Sequence, residues 1–130
     1  MNDKELKELT EFAARFLELP ETDDQGYLFF LHFNHSRHTL AVPYKYVFED
    51  NQVAPILAHL AKRKMGDMGL TWIAASEWDD SGVLFYETTV CKHDQTQQRY
   101  EVDEFIFEVA NSNEYIALWI AIRKAMNHNK

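Results

Sequence analysis

The chain has 130 residues, 46% of them hydrophobic, with three Trp, six Tyr and nine Phe, which is enough for one well-filled core and sets the expectation of a single domain over 1–130. Its net charge of −8 opposes contact with nucleic-acid phosphates and favours basic partners instead. No apolar run approaches the roughly 20 residues of a membrane helix, and Met1-Asn2-Asp3-Lys4-Glu5-Leu6 lacks the basic and apolar regions of a signal peptide. The expectation is a cytoplasmic protein that binds neither nucleic acid nor membrane. Cys91 stands alone, which excludes an internal disulfide and a paired-cysteine metal knuckle and predicts a buried thiol.

Leu6, Leu9, Ala13, Phe16 and Leu17 recur at helical spacing and predict a helix over residues 3–18, with Asn2 and Glu5 placed as its cap and Pro20 as its stop. The polar segment 21–26 reads as an exposed turn. Residues 27–33 and 38–44 alternate as a first hairpin. Pairing Phe33 with His38 sets Leu31 against Leu40, Phe29 against Val42 and Tyr27 against Tyr44. The other face then carries Leu28, Phe30, His32, Thr39 and Ala41, which is more apolar than a solvated face requires.

A short third strand is expected at 46–48. A helix follows from 49–51, on a stripe of Val53, Ile56, Leu57, Leu60, Ala61 and Lys64, with Pro55 in its first turn and Gly66 as its stop. Lys62, Arg63 and Lys64 suit the negative end of that helix. Residues 70–78 and 83–91 form a second hairpin around Asp79-Asp80-Ser81-Gly82. A three-residue bulged loop with Gly82 at positive φ pairs Trp78 with Leu84, Ser76 with Tyr86, Ala74 with Thr88 and Trp72 with Val90.

Residues 91–98 read as loop. Phe105, Phe107 and Val109 alternate as in a strand, yet Asp103 also caps a helical stripe of Phe105, Val109, Ser112, Ile116, Trp119 and Met126; the long helix is the expectation and the strand its alternative. Residues 115–122 are apolar almost all round, which implies cover on more than one side, from the sheet or from a second subunit. The predicted order is α-β-β-β-α-β-β-α, an α+β fold of antiparallel sheet packed with helices.

Three imidazoles, His32, His35 and His38, fall close enough in sequence to suggest a zinc site, but His32 and His38 point to opposite faces in the hairpin register above, so a polar turn is the expectation. Cys91 and His93 share a strand face without a third group to orient them. Gly26, Gly66, Gly69 and Gly82 match no phosphate-binding loop. Glu101, Asp103, Glu104 and Glu108 read as a solvated face, with a general acid/base cluster and mimicry of nucleic-acid phosphates as the sharper alternatives. No catalytic residue, metal or cofactor is assigned.

The order of elements, the acidic balance, Ala41-Val42-Pro43, the turn Asp79-Asp80-Ser81-Gly82 and Val102-Asp103-Glu104-Phe105-Ile106 resemble the small dimeric chaperones of type III secretion systems and the related YbjN-like domains. The asparagine common in the middle helix of YbjN-like chains has no counterpart in Ile56-Leu57-Ala58-His59-Leu60-Ala61. The ending Asn113-Glu114-Tyr115-Ile116-Ala117-Leu118-Trp119-Ile120-Ala121 resembles the phage ABA sandwich domain, which would make 105–109 a strand. The first resemblance implies a non-enzymatic homodimer that holds a partner polypeptide, with Leu28 and Phe30 as part of the binding surface. Two other readings stand beside it: a phage accessory protein that occupies a host factor through acidic surface, and a small metal-dependent enzyme built on His32, His35 and His38.

Overall fold

Helical and alternating spacings resolve into α1 (Asp3–Phe16), β1 (Tyr27–Phe30), β2 (Leu40–Pro43), α2 (Val53–Asp67), β3 (Leu70–Trp78), β4 (Leu84–Asp94), β5 (Arg99–Val109) and α3 (Glu114–His128). The computed structural model describes residues 2–30, 40–94, 99–109 and 113–128, with the backbone alone at 29, 30, 40, 92–94, 99–109 and 128. The α+β class, with antiparallel strands and helices, is as expected. Three segments differ: 44–49 are turns where a third strand was expected at 46–48, 92–94 continue β4 where a loop was expected over 91–98, and 99–109 are strand, the alternative to the helix expected from Asp103. The chain divides into two compact units, residues 1–57 and 58–130.

In the first unit, the Asn2 side chain accepts the Glu5 N–H at 2.8 Å, the cap its sequence predicts. The helix ends two residues before the expected 18. Leu19 N–H reaches the Ala14 carbonyl and Glu18 N–H the Arg15 carbonyl, a Schellman closure that places Glu18 at φ 58. Thr10 is fully buried and donates its hydroxyl to the Leu6 carbonyl at 2.8 Å, so the polar atom brings little desolvation cost.

β1 and β2 pair one residue out of the expected register: Tyr27 with Pro43, Leu28 with Val42, Phe29 with Ala41 and Phe30 with Leu40. Two observations explain the slip. The Gly26 carbonyl accepts the Tyr44 N–H at 2.6 Å, so Tyr44 lies across from Gly26 rather than Tyr27. Leu28 and Val42 are both buried opposite one another, whereas Ala41 is exposed. A slip of one residue exchanges the two faces of a strand, and the face of Leu28, too apolar to be left to solvent alone, is covered at Leu28. The turn after β2 leads to Asp50, whose carboxylate accepts the N–H groups of Gln52 and Val53 and so starts α2, with Pro55 in the first turn as expected.

In the second unit, α2 runs past Gly66 to Asp67, and Gly69 at φ 74, not Gly66, makes the left-handed exit. β3, β4 and β5 form one antiparallel sheet in that order. The β3–β4 register is the expected one, including Trp72 with Val90 and Trp78 with Leu84. β5 pairs with β4 from Tyr86–Val109 to Val90–Phe105, then shifts so that Cys91 lies opposite Val102 and Asp103 and Glu104 stand between paired residues. Phe105, Phe107 and Val109 thus alternate against Val90, Thr88 and Tyr86, a ladder that outweighs the helical stripe.

The physical break between strand and helix is Asn113. Its side-chain oxygen accepts the N–H groups of Tyr115 at 2.9 Å and Ile116 at 3.1 Å, which starts α3. α3 packs on β4 and β5. Ile116, Ala117, Leu118, Trp119, Ala121, Ile122 and Ala125 are all buried within the single chain, so the cover that this apolar helix demands does not require a second subunit.

Candidate functional site

The hairpin of β3 and β4 carries the features that remain once the buried residues are set aside. Its turn is closed by main chain, Asp79 N–H to the Val83 carbonyl at 2.9 Å and Gly82 N–H to the Asp79 carbonyl at 3.0 Å, with Gly82 at φ 83. The Asp79 carboxylate adds three acceptances, from Ser81 N–H at 2.9 Å, Ser81 hydroxyl at 2.8 Å and Val83 N–H at 2.8 Å. These hold its carboxyl below the ordinary aspartate value, the Val83 N–H contributing most and the Ser81 hydroxyl next. The acidic tip is therefore a rigid turn rather than a ligand site.

Side chains alternate between the two faces of the sheet. Trp72 and Ala74 of β3 and Thr88 of β4 face the helices, where they line a cleft of about 120 Å³ with Ala58, Glu114, Tyr115 and Leu118. The Lys62 ammonium sits 5.5 Å from the centre of the Trp72 ring. Burial, with the neighbouring Glu114 charge and hydrogen bond behind it, pushes the Tyr115 phenol up. The cleft contains one carboxylate and one phenol and no base set on a nucleophile. Its volume is below the roughly 300–1,000 Å³ of small-molecule sites and suits one inserted side chain.

The expected apolar set on this face, Trp72, Trp78, Leu84, Tyr86 and Val90, is unevenly covered. Val90 is buried, whereas Trp78 at the far end of β3 is 70% exposed. On the opposite face lie Ile73 and Ala75 of β3 and Phe85 of β4. Ile73 is 49% exposed, as is Val83 at the hairpin end. Among the described residues, the exposed large hydrophobic side chains are Tyr46, Met68, Ile73, Trp78 and Val83, and all but Tyr46 fall between 68 and 83. β3 is also an edge, bonded to β4 alone among the described strands.

The expected binding pair is divided. Leu28 is fully buried and so is withdrawn from the surface, and Phe30 lies in β1 opposite Leu40. His32, His35 and His38 fall outside the described residues. Glu101, Asp103, Glu104 and Glu108 lie along β5, where the backbone alone is described. Cys91 is buried, as expected, and burial raises its thiol pKa. Among the described residues no group of three or more His, Cys, Asp or Glu side chains is placed to hold a metal ion, and no helix is long and apolar enough to cross a membrane.

Sequence reasoning had placed Trp78 on one face with Trp72, Leu84, Tyr86 and Val90 and had not singled out Ile73 or Val83. The available signal was the strand itself, Leu70-Thr71-Trp72-Ile73-Ala74-Ala75-Ser76-Glu77-Trp78, apolar at both parities with one charge. What the fold and site define is an α+β protein in which β3 ends its sheet among the described strands and carries exposed apolar side chains. Set beside known proteins, the chain matches no family model, no curated protein and no solved structure.

Proposed function

We propose that this chain is a non-enzymatic protein-binding module, cytosolic and homodimeric, that holds a partner polypeptide in the manner of the small secretion chaperones. The observation that carries the reading is the concentration of exposed apolar side chains on one hairpin, Ile73, Trp78 and Val83, beside an open sheet edge. Exposed apolar side chains, Ile73 on one face of the hairpin, Trp78 on the other and Val83 at its turn, mark contacts with a segment of another polypeptide. The cleft behind Trp72 and Ala74 is of a size to take one side chain from such a segment. The binding surface moves accordingly from the first hairpin, where Leu28 is core, to the second.

The test is binding of a permanently unfolded polypeptide, a reduced and carboxymethylated protein, followed by fluorescence anisotropy. Wild type is expected to bind, and Ile73→Asp combined with Val83→Asp is expected to lose at least about tenfold in affinity while keeping wild-type circular dichroism, because both side chains are about half exposed and neither is core. Absence of binding by wild type, or equal binding by the double variant, removes the reading.

A further inference from the structure

The main chain of β3 is oriented by its turn. Asp79 exchanges hydrogen bonds with Val83 and Gly82 and so directs its N–H and C=O toward β4. Direction alternates along an antiparallel strand. Residues 71, 73, 75 and 77 therefore bond to β4, and Trp72, Ala74, Ser76 and Trp78 direct theirs away from it, where no described strand receives them. Proteins usually blunt such an edge with lysine, proline or a bulge. β3 has none of these, and Glu77 is its single charge.

We propose that this edge pairs antiparallel with β3 of a second copy of the chain, so that two three-stranded sheets become continuous. The inference rests on the protein-binding reading and names the partner at the edge. The net charge of −8 opposes self-association at long range, so a second copy is accommodated only where charge is sparse and flanked by complementary groups, and β3 is nearly neutral. Outward-facing residues pair with outward-facing residues, which centres the contact on Ala74 or Ala75.

In either register, Trp78 lies opposite Leu70 or Trp72 of the other copy, and Glu77 lies opposite Thr71 or Ile73 rather than a second Glu77. The turn carrying Asp79 and Asp80 then comes beside residues 68–71 of the other copy. Those residues directly follow the end of α2, where Lys62, Arg63 and Lys64 stand against one carboxylate, Asp67. Two-fold symmetry forms this acidic-to-basic contact twice. The pairing also joins the Ile73 faces of the two copies into one surface for a held polypeptide.

The experiment is sedimentation equilibrium of the full chain with three variants. Ala74→Pro removes only an outward N–H, which an edge strand tolerates. It is expected to be monomeric with wild-type circular dichroism, where wild type is dimeric, and its urea midpoint should fall only to that of wild type diluted to the monomer. Arg63→Glu and Asp80→Lys should each weaken the dimer by about tenfold, and the double variant should restore it, a result that does not depend on the proline variant folding.

A monomeric wild type, a dimer unaffected by Ala74→Pro, or a double variant no tighter than the singles overturns the inference. Capture of a basic extended peptide at β3 by a monomeric wild type also overturns it, in favour of a foreign strand. A monomeric wild type that still binds the unfolded polypeptide loses the self-pairing and the homodimeric state but keeps the protein-binding function; a dimer that binds no polypeptide does the reverse.

Discussion

Gly26 holds Tyr44 in two ways: its carbonyl accepts the Tyr44 N–H at 2.6 Å, and its missing Cβ leaves the space that the Tyr44 ring fills. At φ 81, any other residue would be strained there, and an added Cβ would run into that ring. Gly26→Ala is expected to cost about 2–4 kcal/mol, backbone strain and overpacking together. The urea midpoint measures it, and a loss of only about 1 kcal/mol, no more than the backbone strain alone, would show that the ring moves aside freely.

Glu18 closes α1 in the left-handed region at φ 58, where a Cβ is unfavourable. Glu18→Gly should therefore stabilise the chain by roughly 0.5–1 kcal/mol, the relief of strain being partly offset by the greater freedom of glycine in the unfolded state. Thermal melts of the two proteins decide it. A lower melting temperature for the glycine variant would contradict the Schellman closure.

Trp119 and Trp78 are the same residue type in opposite environments. Trp119 is fully buried in α3, and its replacement by Ala should cost about 3–5 kcal/mol. Trp78 is 70% exposed, and its replacement should change stability by no more than about 0.5 kcal/mol while lowering affinity for an unfolded polypeptide. Denaturation and binding measured on both variants separate the two roles.

Asp79 predicts a pH dependence. Its carboxyl titrates lower in the folded chain than in the unfolded one, so its contribution is fully present above the ordinary aspartate value and disappears as pH falls through the lowered folded-state value. Asp79→Ala should melt a few degrees below wild type at neutral pH, and the gap should close in strong acid. A gap of constant size would mean that turn shape, not ionised hydrogen bonding, is what Asp79 supplies.

Cys91 is buried, and its thiol ionises less readily than a free one. Reaction with an aromatic disulfide reagent should be at least about tenfold slower in the native chain than in urea, where one equivalent reacts. Rapid native reaction would place the sulfur at the surface.

The second hairpin was legible residue by residue because its information is local. Asp79 to Gly82 can close in few ways, and the closure sets every pair from Trp78–Leu84 to Leu70–Lys92. The caps at Asn2 and the start of α2 were legible for the same reason, one side chain answering N–H groups two or three residues on. The first hairpin was not. Its strands are apolar at both parities, so two registers were nearly equivalent on paper, and the choice between them was made by the burial of Leu28 with Val42 and the Gly26–Tyr44 bond.

Residues 99–109 pose the same problem, since Phe105 and Val109 satisfy a helical stripe and a strand alternation equally. β4 offers that segment a ladder of backbone bonds, and Asn113 offers α3 a later start, neither of which the spacing of apolar residues reveals. By itself, then, the sequence determined the α+β class, the cap of α1 and the one hairpin closed by a short turn, all of which depend on neighbours within a few residues. Tertiary structure alone decided which face of the first hairpin is core, which partner residues 99–109 take, and that Ile73, Trp78 and Val83 stay in solvent, because each of these depends on surfaces brought together from distant parts of the chain.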